Sequence, residues 1–358
     1  MDWRVPPERA LNCFPKDYAA ARAAFLRAAE DRDAELHCFP VQGSSPSGDP
    51  LAIDSAWIGE RDARAVLVLL SGTHGAEGYA GSAAQVDLLR NGPTTKGVAV
   101  LLVHALTPWG FAFNERTDEA GIDLNRNFVD HQSPPFNEGY AELADDLVPS
   151  DRSELGLARA EANIAEWRER HGSAAFDRVR RAGQYSHPTG LYYGGSAPAP
   201  GNAALATLFG LYGLARRRVA VVDWHTGLGP FGHGEIQSEL PRAHRLFRRA
   251  QTVFGPELTS PFDGSSSSTV LNGTVQEGLF RLLEDNDHVY VCLEFGTFSP
   301  TEARKVLLDL ALKRPGARAA SRRYFFPDTP GWNEMVLWRS RQVVRRLTDH
   351  LWRDGIAP

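Results

Sequence analysis

The chain has 358 residues, 42% of them apolar, with a net charge of −5 and three cysteines. That content suffices for one large α/β domain or two small ones, while the mild acidity and the lack of a long basic run exclude a phosphate-binding stripe and, with it, nucleic acid as a partner. Cys13, Cys38 and Cys292 are odd in number and too widely spaced for a disulfide framework or a Cys-x-x-Cys site, no segment nears the roughly 18 apolar residues of a membrane span, and the first seven residues lack a signal-peptide core, so the expected setting is cytoplasmic and off the membrane.

In chain order, a capped amphipathic helix is expected over 16–32, followed by short strands over 35–41 and 52–59. Stronger strands follow at 64–70, 97–105, 219–224 and 289–295. These four are nearly continuous runs of Val, Leu and Ala, the pattern of strands buried on both faces, and helices such as 82–90 separate most of them. The expected fold is therefore α/β: a mixed, largely parallel central sheet with helices on both faces, three layers in one domain over 1–358. Segment 131–200 reads as one polar helix, about 153–171, between Pro- and Gly-rich stretches. It holds too few apolar residues for a core of its own and is expected to be an excursion over the active-site rim. The serine run 264–268 reads equally as a linker or a mobile lid. Helices over 301–313 and 331–353 close the chain, and no internal repeat is visible.

The chemistry gathers at strand ends. His74 and Glu77 follow the 64–70 strand in a Gly-rich turn (Gly75, Gly78, Gly81), and a histidine and carboxylate three apart on such a turn can face one metal ion, zinc foremost. His225 ends the 219–224 strand, where open α/β sheets bind ligands, and is the candidate third ligand; the plainer alternative is a histidine stacked beside Trp224. Glu294 follows the apolar run 289–293, so its carboxylate must be paired, desolvated or ligating. It is a candidate general base, or else one half of a structural ion pair. Between these lie Asn114, Arg116, Asn125, Arg126 and Asn127, whose planar donors suit a carboxylate or oxyanion, although loop arginines and asparagines are commonly just solvated, and Asp123 stands among them.

Taken in order, His74-x-x-Glu77, Pro108-x-Gly110-Phe111, Asp123-x-Asn125-Arg126-Asn127, His225 and Glu294 resemble the zinc carboxypeptidase superfamily, which joins carboxypeptidase A-like enzymes to the succinylglutamate desuccinylase and aspartoacylase deacylases. The resemblance spans about 64–299. It implies one zinc per chain held by His74, Glu77 and His225, with Glu294 as general base and proton shuttle and Arg116 polarising the scissile carbonyl. It further implies that Asn125 and Arg126 hold the substrate's carboxylate, while Asp123 supports His74 from behind. Glu294-Phe295-Gly296 and Asp223-x-His225 are similar to the deacylase branch, whereas the Pro108 block and 184–195 look like an uncharacterised carboxypeptidase-like branch. Tyr192, Tyr193 and Tyr290 are candidates for the assisting tyrosine of carboxypeptidases. The implied activity is hydrolysis of an amide next to a free carboxylate, in a small peptide or, alternatively, an N-acyl amino acid. A non-catalytic carboxylate-binding protein on the same fold is the competing class; a serine hydrolase lacks its Gly-x-Ser-x-Gly elbow.

Overall fold

In the computed structural model residues 3–93, 97–284 and 286–353 are described, so Met1, Asp2 and the outer limits of the expected 1–358 domain lie outside the described residues. Eight strands form one sheet: β1 (Glu35–Ser44), β2 (Pro50–Ile58), β3 (Ala65–Leu70), β4 (Ala99–His104), β5 (Arg218–Thr226), β6 (Gly234–Gln237), β7 (Leu258–Thr259) and β8 (Val289–Phe295). Their spatial order is β1-β2-β4-β3-β5-β8-β6-β7. The four central strands β4, β3, β5 and β8 run parallel, while β1, β2 and the β6–β8 pairing are antiparallel. This is the mixed, largely parallel sheet expected from the four apolar runs.

Side chains on a strand alternate between faces, and both faces here are covered. Leu67, Leu69, Val222, Trp224 and Leu293 pack on one face against α1 (Tyr18–Glu30), α2 (Gly78–Asn91), α8 (Arg245–Phe254) and α12 (Pro330–Arg353). Val66, Val68, Val221, Tyr290 and Cys292 face the other way, against α7 (Pro200–Leu211) and α9 (Val275–Leu282). Each fully buried Val or Leu contributes roughly 1.5–3 kcal/mol, which explains why the runs tolerate no polar residue until the strand ends. The remaining helices are α3 (Pro108–Phe113), α4 (Glu138–Leu147), α5 (Glu154–His171), α6 (Ser173–Arg181), α10 (Pro300–Ala311) and α11 (Ala317–Phe325).

From β3 the chain passes through α2 to β4 on one side, whereas β5 lies on the other. The carboxyl ends of β3 and β5 thus flank a switch point, where such sheets open a crevice.

Two expectations need correction. Segment 131–200 holds three helices rather than one, α4 to α6, and Tyr140, Leu143, Leu147, Ile164, Trp167 and Phe176 bury one another in a small cluster. The apolar residues there are few, but half are aromatic and all six turn to the same centre, so large rings supply the area that their number does not suggest. Nor is the serine run a free linker. Ser267 N–H reaches both Glu235 oxygens at 3.2 and 3.3 Å, and Ser265 Oγ accepts from Ser260 N–H at 3.0 Å, tying the loop to β6.

Candidate metal centre

His74 leaves β3 into a single 3-10 turn, Gly75–Glu77, that leads into α2. A Cβ on Gly75 would sit 2.0 Å from the Gly110 carbonyl carbon, so only glycine lets this turn press against α3 and bring Glu77 back beside His74. On β5, Trp224 points to the helix-covered face and donates to Ser340 Oγ of α12 at 2.9 Å. Its neighbours Asp223 and His225 therefore share the opposite face, which rules out the stacked pair of Trp224 and His225.

Three ligand atoms converge. His74 Nδ1 lies 2.9 Å from Glu77 Oε1, and His225 Nδ1 lies 3.2 Å from both His74 Nδ1 and Glu77 Oε2. Ligand atoms around a tetrahedral zinc at about 2.0–2.1 Å sit about 3.3 Å from one another, so this triangle fits the ion with little adjustment. All three side chains are buried. Each imidazole also meets a carboxylate through its far nitrogen: His74 Nε2 is 3.1 Å from Asp123 Oδ1, and His225 Nε2 is 2.9 Å from Asp223 Oδ2, the latter off the line of a good hydrogen bond. A carboxylate can only accept, so Asp223 keeps the proton on His225 Nε2 and leaves its Nδ1 free to ligate, whereas His74 Nε2 faces both the Asp123 acceptor and, at 2.7 Å, the Arg116 Nη2 donor. The donor set fits a divalent metal on this chemistry.

Charges in the cluster hold one another in place. Burial alone would raise Glu77, yet His74 and His225 hold it well below the usual carboxylate range. Burial likewise opposes charge on His225, and Asp223 and Glu77 overcome it, raising the imidazole well above its ordinary value. Asp123, also buried, is pulled far down by Arg116, Arg126 and His74.

Glu294 stands beside His225 in the parallel β5–β8 register. Leu228 N–H donates to its Oε1 at 3.0 Å, and it has no ion pair among the described residues, contrary to the structural-pair alternative. Burial, then the neighbouring Glu77, pushes it up to about 8. A carboxyl with that affinity can both take and return a proton near neutrality.

The arginines are disposed differently from one another. Arg116 donates from Nε to Asp123 Oδ2 at 2.9 Å and from Nη1 to Glu77 Oε1 at 3.3 Å, and its Nη2 lies 2.7 Å from His74 Nε2. Arg126 is spent largely on backbone: Nε and Nη2 donate to Arg181 O at 3.0 and 2.8 Å, and Nη1 donates to Asn125 O at 2.6 Å. It thereby caps the last turn of α6, and two of its five N–H groups remain. Asn125 Oδ1 accepts Val275 N–H at 2.9 Å at the start of α9, which leaves its amide NH2 for a ligand. Of the three candidate tyrosines, Tyr192 lines the cavity, stacked 5.4 and 5.5 Å from the Arg116 and Arg126 guanidiniums. Its left-handed backbone (φ +57°) is the kind of local strain that functional sites retain. Tyr193 and Tyr290 are buried away from the cavity lining.

The cavity, about 80 Å³, is lined by the metal cluster, Glu294, Arg116, Asn125, Arg126 and Tyr192, together with residues the motifs did not point to: Arg180, Arg181, Gln237, Glu239 and Tyr324. A groove of about 1490 Å³ shares Arg116, Tyr192 and Leu307 with its lining. Asp223 was legible from its place two residues before His225, on the same strand face. Arg181 and Glu239 left no such signal.

Residues 14–339 match the model of the family described as "Protein of unknown function (DUF2817)". The chain belongs to DUF2817. No curated protein matches its sequence. Among solved structures, this DUF2817 chain is similar to thrombin activatable fibrinolysis inhibitor, at 12% identity and a TM-score of 0.50 over 94% of this chain and 74% of that one. A candidate metallopeptidase from Shewanella baltica OS155 matches at 12% identity, TM-score 0.47, over 92% and 91%. A candidate succinylglutamate desuccinylase/aspartoacylase from Shewanella frigidimarina matches at 16% identity, TM-score 0.35, over 80% and 70%. Likeness at such identity speaks to fold alone, and the α/β fold is similar to that of thrombin activatable fibrinolysis inhibitor. No helix among the described residues is long and apolar enough to cross a membrane.

Proposed function

We propose that this DUF2817 chain is a zinc-dependent hydrolase of an amide bond next to a free carboxylate, a metallocarboxypeptidase-like peptidase acting on small peptides in the cytoplasm. In this reading the chain is one catalytic domain, with 131–200 as its rim. The observation that carries it is the triangle of His74 Nδ1, Glu77 and His225 Nδ1 at 2.9–3.2 Å with Glu294 in the adjacent register. When bound, one zinc per chain supplies Lewis acidity to a carbonyl and to water.

The chain's own residues do the rest. Glu294 takes the proton of the attacking water and returns it to the leaving amine, and its raised affinity suits both halves of that task. Arg116, with two N–H groups unspent, meets charge developing on the carbonyl oxygen. The amide of Asn125 and the two remaining N–H groups of Arg126 hold the free carboxylate, with the Arg181 guanidinium in the same cavity wall. The groove beyond Arg116 and Tyr192 suits the body of a peptide better than a compact acyl group. The second reading, an N-acyl amino acid deacylase, rests on Glu294-Phe295-Gly296 and the narrow inner cavity.

Elemental analysis of protein purified without added metal is expected to give about one zinc per chain, falling in His225→Ala. A panel of C-terminal dipeptides and N-acyl amino acids then separates the two substrates. Full activity without metal overturns the reading. So does a zinc-loaded protein that binds carboxylates and hydrolyses neither class, which is the behaviour of a carboxylate-binding protein on this fold.

A further inference from the structure

Tyr140, Leu143 and Leu147 recur at helical spacing and turn one face of α4 into the excursion's own cluster. Ala141, Ala144 and Asp145 share a neighbouring face and, with Val148 just beyond the helix, form one wall of the 1490 Å³ groove. Leu310, Ala311, Lys313 and Ala317, from α10, α11 and the turn between them, form the opposite wall. A second cleft of about 290 Å³ separates Asp146, Ala160 and Glu161 from Arg304, Lys305 and Leu308 of α10. Packed interiors leave few voids larger than a water molecule, so these helix layers are adjacent without being packed. The buried residues of the excursion form a cluster separate from that of Val306, Leu307, Leu310 and Ala317 behind the opposite wall, and α4, α5 and α6 lie closer on one another than on any other element.

Polar contacts join the excursion to the body at two places. At one corner Arg126 holds the Arg181 carbonyl, Asn272 N–H donates to the Ala182 carbonyl at 2.8 Å, and Arg180 Nη1 donates to the Tyr192 hydroxyl at 3.3 Å. Asn137 Nδ2 there ties the entering chain to the leaving one, donating to Val179 O and Gly183 O at 2.9 Å each. Residues 132–136 on the way in are exposed, and Gly183 on the way out takes φ +106°, so both connections can absorb rotation. On the far side the partly exposed Glu161–Arg304 ion pair spans the second cleft, and Arg152 Nη1 reaches Leu312 O at 3.4 Å. Around that pair, charges of opposite sign line opposite walls: Glu142 and Asp145 across the groove from Lys313, and Asp146 across the cleft from Lys305. None of these five makes an ion pair among the described residues.

We propose that α4–α6 is a hinged lid over the groove, swinging about the corner of Asn137 and Gly183 and held shut by charge rather than by packing, with Glu161–Arg304 as its latch. Its own core lets it move as a body, and no apolar core has to be broken for it to leave α10. Exposed ion pairs are individually weak and are screened by salt, so a lid held in this way opens readily, whereas a wall buried in apolar contact does not. Because the groove and the reaction cavity share Arg116, Tyr192 and Leu307, the swing sets the width of the approach to the cavity. The device does not depend on which ligand the cavity takes and goes beyond the hydrolase reading.

Spin labels on the full chain test it, placed at the exposed positions Leu155→Cys on α5 and Ala319→Cys on α11 with the exposed Cys38 changed by Cys38→Ser. Pulsed electron–electron distance measurement is expected to give a short separation at low ionic strength that yields to a longer one as NaCl rises to about 1 M, where the screening length is about 3 Å. Arg304→Glu should lower the closed-to-open ratio at low salt on the order of 10-fold, and Glu161→Arg combined with Arg304→Glu should restore it. Amide hydrogen exchange within α4–α6 should stay protected throughout, since the lid moves without melting. One separation at every salt concentration overturns the proposal, and the salt series alone decides if a latch variant fails to fold. A longer separation that comes with loss of exchange protection also overturns it, as does a double variant no more closed than Arg304→Glu. No arm requires turnover, so a chain that hydrolyses nothing leaves the lid standing.

Discussion

The two imidazoles of the metal cluster are braced on opposite flanks by carboxylates that serve different company. On the β3 flank, Asp123 divides itself between His74 Nε2, the Arg116 guanidinium and the Asn125 N–H. On the β5 flank, Asp223 faces His225, its other oxygen taking the neutral Thr73 hydroxyl at 2.7 Å, and it has no arginine or lysine in an ion pair among the described residues. The first carboxylate is largely neutralised by a cation. The second is not, and with Glu77 it overcomes the burial of His225 to raise that imidazole well above its ordinary value.

The largest expected effect tests the β5 flank where it meets Glu294. Glu294→Gln keeps the shape and loses the proton acceptor, so kcat is expected to fall by two or more orders of magnitude, about 3 kcal/mol, with zinc content unchanged in elemental analysis. Loss of zinc in step with activity would make Glu294 a ligand or structural group instead. Next, Asp223→Asn and Asp123→Asn should part company in metal titrations. Both are expected to weaken zinc binding about 10- to 100-fold, but only the Asp123 variant frees Arg116 and so lowers kcat of the zinc-saturated enzyme as well. Identical profiles would mean the two flanks are equivalent.

A third effect appears in the metal-free chain as a function of pH. Glu294 titrates near 8 when folded against 4.5 as its ordinary value, so the folded state keeps a proton the unfolded chain gives up. Its contribution makes stability fall as pH rises from about 4.5 to 8 and level off above. Glu77 and Asp123 are depressed, so their contribution is complete above the ordinary carboxylate range and is lost as pH falls through it. Urea midpoints across pH should therefore pass through a maximum; His225 and Glu239, also raised in the folded state, add to the alkaline limb, so Glu294→Gln should make that limb shallower without abolishing it and leave the acid limb unchanged. The smallest effect is Arg126→Lys, which gives up the two-point contact to Arg181 O and should cost about 2 kcal/mol in stability. If Arg126 also grips substrate, the variant should erase most of the preference for a free acid over its amide; an unchanged ratio would leave it a brace alone.

Much of this was readable in the chain. The four central strands announce themselves by nearly continuous apolar runs, and His74, Glu77, His225 and Glu294 stand where those runs end, where a polar residue must be paired, desolvated or ligating. Asp223 needed one further step, the two-residue period of a strand. Arg181 and Glu239 were beyond reach because neither follows an apolar run: one ends a short charged helix, the other trails a four-residue strand, and tertiary packing alone brings them to the cavity. α4 and α6 were missed for a related reason, being 10 and 9 residues long with few apolar positions, so their periodicity is too brief to count. The roles expected of Asn125 and Arg126 came with the motif, but the Arg181 carbonyl that takes Arg126 Nε and Nη2 lies 55 residues away in sequence.

The excursion closes on its own cluster of Tyr140, Leu143, Leu147, Ile164, Trp167 and Phe176, apart from the two large clusters that sandwich the sheet. Free-energy changes at sites that share no partners add nearly independently. Substitutions among those six residues can therefore tilt or reshape the wall that carries Arg180 and Arg181 without repacking β3, β5 or β8 beneath the metal ligands. Selection of the guest and execution of the chemistry are in this way separately adjustable, and drift in one need not be compensated in the other.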